Sequence, residues 1–475
     1  MSSEDIYRLE LHELSERIGE GELSPVDAVE AFLARIDSIN RRILGFLEVT
    51  ADAALDEARR AQEEIAAGRR LGPLHGVPYG VKDIIDTAGV RTTRGSSFFR
   101  DNVPERDAEC VARLKRAGAI LLGKCHTQEF ASGPLSQNAH FGTAHNPWDT
   151  DRMTGGSSTG SGASVAAGLC PVAIGTDTGS SIRGPAALCG LVGLKPTHGR
   201  VSLRGVCPNC LSYDHVGPIA RSAKDAALFL QGMAGYDAQD PYSRDMPVPD
   251  FSARLDEGAE GLRVGLCPGL SGGFEADAEV MGAFERAVGV FRESGAQVET
   301  LPFDDAERLM AVNRVIIQCE FAEFHRPLYE QNPDGYGPST RERVEASLAG
   351  ADLDEYIRAG REREVLRRNV LDLFEGVDVI LTLALPCIAP RLDDLKAHIN
   401  GEEVDYSLGL TMPYLTHQNL TGFPAAVVPT GFSEKEGMPM SLQVIGRPWE
   451  EAEVLRAVNA YEAATPELRN RRPVL

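Results

Sequence analysis

Two serines follow a threonine and a glycine in GTDTGSSIRGP, residues 175–185. The stretch reads as a strand running into a tight turn, a setting in which a serine hydroxyl can act as a nucleophile. Such a hydroxyl is weak at neutral pH and needs a base. No histidine lies within the stretch. A second serine-bearing turn, TGGSSTGSG, spans 154–162, and Lys82 follows the largely apolar run in GVPYGVKDIID. Lysine is seldom fully buried. One reading pairs Lys82 with Asp83 or Asp86 at the surface. The other buries it, and burial disfavours the charged form, leaving an amine that can take a proton. A serine–lysine arrangement is a known variant of the serine triad. The three pieces would supply one if the fold brings them together.

The glycine-rich turn has other readings. Gly155 and Gly160 have the interval of a phosphate loop, but Ser161 and Gly162 stand where lysine and serine or threonine are needed. A flexible surface loop is the plain alternative, since Gly/Ser clusters usually are loops. Against it, the turn continues at once into an apolar helix and strand. A glycine turn set in a packed unit lets backbone approach a ligand closely.

The elements that must position these groups alternate. Residues 1–70 read as helices. Ser24-Pro25 is a helix start, with Asp27 at the capping-box position and Val26, Val29, Phe32, Leu33, Ile36 and Ile39 forming one apolar face. A second helix is expected at 52–67. Strands are expected at 77–85, 119–125 and 171–177, with helices at 108–118 and 160–170 between them. Further strands are expected at 262–267, 296–301, 377–385, 424–431 and 440–446. Helices are expected at 276–294, near 308–330 and 353–375, and at 450–464. This pattern predicts an α/β protein with a central sheet covered by helices. With no clear linker, one domain over 1–475 is expected: a helical segment at 1–70, a core at 71–235, a cover at 236–375 and closing core strands and helix at 376–475.

The composition is that of a soluble globular protein, 43% hydrophobic and 25% charged over 475 residues. The 48 basic and 70 acidic residues give a net charge of −22, which argues against binding nucleic acid or an anionic membrane. The start, MSSEDIYRLE, lacks the marks of a signal peptide, and no run of about 18 apolar residues suggests a membrane span. Nine scattered cysteines suggest reduced thiols in a cytosol. The Cys207/Cys210 pair has no second ligand pair nearby, so no zinc is expected.

Together these residues resemble the amidase signature family. The likeness lies in GVPYGVKD (76–83), NPWDTDRMTGGSSTGSGASVAAG (146–168), GTDTGSSIRGPAALCGLVGLKPTHGRVS (175–202), DHVGPIARS (214–222), LTGFPAAVVPTGF (420–432) and LQVIGRPWEEAEVL (442–455), and runs from about residue 5 to the end. It implies a central mixed sheet with helices on both faces and a Ser–cis-Ser–Lys triad. Ser181 would be the nucleophile, Ser157 the bridging serine after a cis Gly156–Ser157 bond, and Lys82 the base. The backbone N–H groups of Thr178, Gly179, Ser180 and Ser181 would form the oxyanion hole. Ser158, Asp177 and Arg183 would support the site, the last two as an ion pair if buried. Ser180 stands where many members have glycine and would be strained if its φ were positive.

With a Ser–Lys system, His75, His126, His140, His145, His198 and His215 are not needed as bases and are expected to be hydrogen-bonded core or rim residues. Substrate-pocket candidates are Ala131, Ser132 and Gly133 in the ASGP stretch, and segments near 316–321 and 408–418. The resemblance implies an amidase that needs no cofactor or metal, cleaves a small carboxamide or related acyl-nitrogen compound and forms a homodimer. Its alternatives are the glutaminase component of a tRNA-dependent amidotransferase, feeding ammonia to a partner, and an inactive scaffold.

Overall fold

The computed structural model describes residues 2–271 and 276–475. Its central element is an eleven-stranded sheet. In chain order the strands are β1 (Phe46–Val49), β2 (Pro78–Lys82), β3 (Ile120–Cys125), β4 (Val172–Asp177), β5 (Val192–Lys195), β6 (His215–Ala220), β7 (Arg263–Leu266), β8 (Gln297–Thr300), β9 (Val379–Leu383), β10 (Ala425–Phe432) and β11 (Pro439–Gly446). The spatial order is β1-β3-β2-β4-β6-β5-β10-β11-β9-β7-β8. The β3–β2–β4 and β9–β7–β8 groups are parallel. The remaining neighbours are antiparallel, so the sheet is mixed, as expected. Every residue of β2, β3, β4, β6, β9 and β11 is buried, which requires cover on both faces.

Most expected elements are present. Pro25–Ile43 is the helix begun by Ser24, whose hydroxyl accepts from the Asp27 amide. Helices occupy Ala51–Ala66, Glu109–Arg116, Thr159–Ala166, Ala278–Glu293, Ala306–Gln331, Leu353–Asp372 and Glu451–Ala464. The first 70 residues are not all helical: Phe46–Val49 is the edge strand, antiparallel to β3. Its pairing is a tertiary contact, and four residues between two helices carry no period that would betray it. The β5 and β6 strands were also missed. Glycine and proline interrupt their apolar runs, and both are buried between neighbours. A further helix, Pro338–Gly350, went unpredicted and contributes to the site.

The sheet brings the three chemical segments together. Parallel β2 and β4 pair Gly80 with Ala173 and Val81 with Ile174, so Lys82 at the end of β2 stands beside the end of β4. The turn after β4 is TGSSI, residues 178–182. The helix Thr159–Ala166 is made almost wholly of small residues and lies close to the sheet. Gly160 shows why: a Cβ there would sit 2.2 Å from Gly45 O and 2.3 Å from His126 N. Both are backbone atoms, which cannot rotate aside. Gly160→Ala is therefore expected to lower stability by about 1–3 kcal/mol, the usual range for overpacking, measured as a reduced urea midpoint with an unchanged slope.

Candidate active site

Lys82 is fully buried. Its Nζ lies 2.8 Å from Ser157 Oγ and 2.8 Å from Thr176 Oγ1, and no ion pair reaches it among the described residues. The surface pairing with Asp83 or Asp86 does not form. Asp83 instead accepts from the Thr93 amide and hydroxyl, while Asp86 lies 3.8 Å from Arg94. Burial pushes the Lys82 amine down to about 7, although Asp177 and Asp214 pull the other way. Both acids are already committed, which limits that pull. Asp214 accepts from Thr178 Oγ1 at 2.5 Å and from the amides of Asn209 and Cys210. Burial also raises Asp214, to about 7.

The Gly156–Ser157 peptide bond is cis. The Ser157 carbonyl accepts from the Gln128 amide and from Thr127 Oγ1, which anchors the turn from the far side. Ser158 Oγ donates to Thr176 O and accepts from Thr176 N, tying the same turn to β4. Thr176, one residue before Asp177, was not identified from the sequence; only the β2–β4 register places it at the amine.

Asp177 and Arg183 pair as expected, both with fully buried side chains. Asp177 accepts from Arg183 Nε at 3.0 Å and from an Arg183 terminal nitrogen at 2.9 Å, and also from the amides of Ile182 and Arg183. Burial alone would raise the Asp177 carboxyl; the guanidinium beside it and Asn419 hold it below the usual range. The remaining guanidinium N–H groups reach Leu415 O, Gln443 Oε1 and Asn419 Oδ1. One arginine thus ties the turn after β4 to β11 and to the helical stretch 408–421.

That turn exposes its N–H side to a pocket. Thr416 Oγ1 donates to Gly179 O and Asn419 Nδ2 to Asp177 O, so partners from 408–421 hold its carbonyls. The N–H groups of Gly179, Ser180 and Ser181 meet no protein acceptor among the described residues, nor does Ser181 Oγ hydrogen-bond to Ser157. Ser180 has no positive φ, so a serine fits there without strain.

The pocket is lined by Ala131, Gly133, Thr178, Gly179, Ser180, Ser181, Asn209, Ile317, Arg343, Leu408, Met412 and Thr416. Two of the three ASGP candidates therefore line it. Ser132 does not; its hydroxyl accepts from Arg343 Nη1 at 3.2 Å. The segments near 316–321 and 408–418 contribute Ile317 and Leu408, Met412 and Thr416. Arg343 and Asn209 were missed. An arginine in a polar helix looks like a solvated one, and an asparagine in a CPNC turn looks like turn chemistry. The Arg343 guanidinium stacks 4.1 Å over the Phe321 ring, and no carboxylate pairs with it among the described residues. Burial lowers it to about 10, still charged at neutral pH.

The six histidines lie outside this lining. His126 sits between Thr159 Oγ1 and Gly142 O and is pushed down to about 4 by burial. His215 contacts Tyr213 O and Lys195. Cys207 and Cys210 are buried, with their thiols pushed up by burial, Cys207 to about 12. Among the described residues, Glu10, His12 and Asp225 are the one group whose ligand atoms converge as a metal site would require. They share no residue with the pocket, and Arg469 already occupies the Glu10 carboxylate.

The family model for amidases matches residues 27–455. The chain belongs to the amidase signature family. It is 38% identical to a glutamyl-tRNA(Gln) amidotransferase subunit, GatA, of Moorella thermoacetica, covering 99% of each chain. GatA from Geobacter sp. (strain M21) is 37% identical, over 97% of this chain and 98% of the other. A solved structure described as a vestigial protein complex that reveals the evolutionary origins of an s-triazine catabolic enzyme has a TM-score of 0.91 and 35% identity, covering 96% of this chain and 98% of that one. Peptide amidase from Stenotrophomonas maltophilia gives 0.82 and 31%, over 98% of each.

A buried amine that titrates near 7 sets a pH signature. Only the neutral amine can take a proton, so kcat/KM is expected to rise about tenfold per pH unit below about 7 and to level off above it. Asp214 titrates in the same window. The limb should persist in Asp214→Asn and vanish, with most of the activity, in Lys82→Ala.

Proposed function

We propose that this protein cleaves the C–N bond of a small amide carrying a free carboxylate, through Ser181, Ser157 and Lys82. The observation that carries the reading is the pocket itself: Ser181 and Arg343 line the same pocket, and Lys82 lies 2.8 Å from Ser157. In the proposed chemistry neutral Lys82 takes a proton from Ser157, and Ser157 takes one from Ser181 as its Oγ bonds to the carbonyl carbon. The oxyanion is received by the N–H groups of the 178–181 turn. Ser157 then protonates the departing nitrogen, because an amide anion is a poor leaving group. Water hydrolyses the resulting ester by the same steps in reverse.

Arg343 supplies the substrate preference. A cation with no acidic partner on a pocket wall suits a carboxylate. Glutamine carries one, and near-full-length relatives are named as amidotransferase subunits of the GatA type. They support the glutaminase reading over the free-standing hydrolase to which the sequence alone first pointed. A partner chain fits that reading better than a homodimer does. A second reading rests on the wall as well. Among the described residues the pocket has one guanidinium and no carboxylate, so no opposite charge there pairs with an amino acid's ammonium. This favours an anionic amide without an amino group.

Ammonia release by the purified chain tests both readings with glutamine, glutaramate (glutamine without its amino group) and propionamide. Activity on a carboxylated amide, lost in Ser181→Ala, is expected. Arg343→Leu should raise KM for that amide by about 10–100-fold, the worth of one charged hydrogen bond at about 1.4 kcal/mol per tenfold, and leave propionamide turnover unchanged. Glutamine alone as substrate would select the amidotransferase reading, and glutaramate preferred over glutamine would select the second. Release from propionamide alone, indifferent to Arg343, would overturn the carboxylate assignment.

A further inference from the structure

Four arginines converge on an open cleft that shares no residue with the Ser181 pocket. The cleft, about 440 Å³, lies between the helix Ser3–Arg8, the helix Pro25–Ile43, the turn at 166–168 and the tail 472–475. That size is in the range of small-molecule sites. Arg8, Arg35, Arg221 and Arg472 line it, and Glu4 is the one carboxylate side chain among its described lining residues. Arg8 pairs with Glu4 at 2.7 Å, and Arg472 reaches Glu10 at 3.4 Å. Among the described residues Arg35 and Arg221 form no ion pair. The Arg221 terminal nitrogens donate to Tyr7 O, Arg8 O and Leu9 O. Arg35 lies 4.6 Å over the Tyr7 ring and gives its Nε to Ala167 O at 3.3 Å. Both of its terminal nitrogens are left without a protein acceptor among the described residues.

Those contacts explain where each side chain packs, but they do not offset the charge. The chain as a whole carries −22, yet this cleft collects four cations, and like charges on one cleft repel. Burial, and next the charge of Arg472, lower the Arg221 guanidinium to about 10, so it stays charged at neutral pH. Guanidinium forks match the oxygens of phosphate. A phosphate group brings close to two charges and three acceptor oxygens in a small volume, where a carboxylate brings one charge. Two unpaired guanidinium groups beside two partly exposed paired ones suit the denser anion.

We propose that this cleft binds a small polyanion with two linked phosphate groups, with Arg35 as its direct ligand and Arg8, Arg221 and Arg472 supplying the positive field. The bound anion would tie the N-terminal helices to the C-terminal tail, since both line the cleft. The site is independent of the amide-cleavage reading above.

Isothermal titration calorimetry of the full chain tests it, with inorganic pyrophosphate as the probe and adenosine diphosphate and citrate beside it. Citrate supplies a similar charge on carboxylates. Pyrophosphate should bind the wild type at one site, at least about tenfold more tightly than citrate. Arg35→Gln should weaken it by about 10–100-fold, the worth of one charged hydrogen bond. Arg358→Gln, an exposed position on the helix Leu353–Asp372 outside the cleft, should leave it unchanged. Arg8→Gln should weaken it as well, and serves if Arg35→Gln does not fold. Both orders of the two diphosphates support the site: adenosine diphosphate the tighter marks a nucleotide, pyrophosphate the tighter an inorganic ligand. No saturable binding of either, or an affinity indifferent to Arg35 and Arg8, would overturn the proposal. So would an equal loss in Arg35→Gln and Arg358→Gln. Citrate held as tightly as pyrophosphate would overturn the phosphate class.

Discussion

The site depends on a lysine that the fold keeps from ionising fully at neutral pH. Lys82 ends a strand whose every residue is buried, and water cannot reach its amine. Desolvation of this kind favours the neutral form unless an acid stands close by. Two acids lie in the neighbourhood, and each is held elsewhere. Asp177 is saturated by Arg183, Asn419 and two amides, and Asp214 by Thr178 and the 209–210 turn. Were either free to pair with Lys82, the amine would stay charged and could take no proton. The buried Asp177–Arg183 pair therefore anchors the turn after β4 and also keeps a carboxylate away from Lys82.

The topology makes this arrangement possible. Parallel β2 and β4 end side by side, so Lys82 and the turn that carries Ser181 leave the sheet at the same edge. The cis turn at 156–157 reaches them from the loop before Thr159–Ala166, whose small residues let it seat close to the sheet. The far wall comes from distant parts of the chain: Asn209 from the turn before β6, Ile317 and Arg343 from two polar helices, and Met412 and Thr416 from the stretch before β10. The lysine and the two serine turns thus come from one part of the sequence and the far wall from others.

That division explains what could be read in advance. Lys82, Ser157 and Ser181 stand in glycine-rich turns and a strand end, where residue type and spacing carry chemical meaning, and the structure places the two turns and the lysine together. The Asp177–Arg183 pair was legible because opposite charges must meet if buried. Arg343 and Asn209 were not legible. Each is an ordinary residue for its local element, and its significance comes from a tertiary neighbour: Ser132 and Phe321 for the one, the Phe130 and Ala131 carbonyls for the other. The edge strand Phe46–Val49 was missed for the same reason, since pairing with β3 is not written in four residues. Ser132, expected in the pocket, stands behind it and holds the arginine.

The central claim is that Ser181 is activated by Lys82 through Ser157. Peptide mapping of a fluorophosphonate adduct tests it most directly, with labelling rates followed in the wild type, Ser157→Ala and Lys82→Ala at pH 8. The account predicts a single adduct on Ser181, formed at least about 100-fold more slowly when either partner is removed. An adduct on Ser180, or a rate on Ser181 that is indifferent to Lys82, would contradict it.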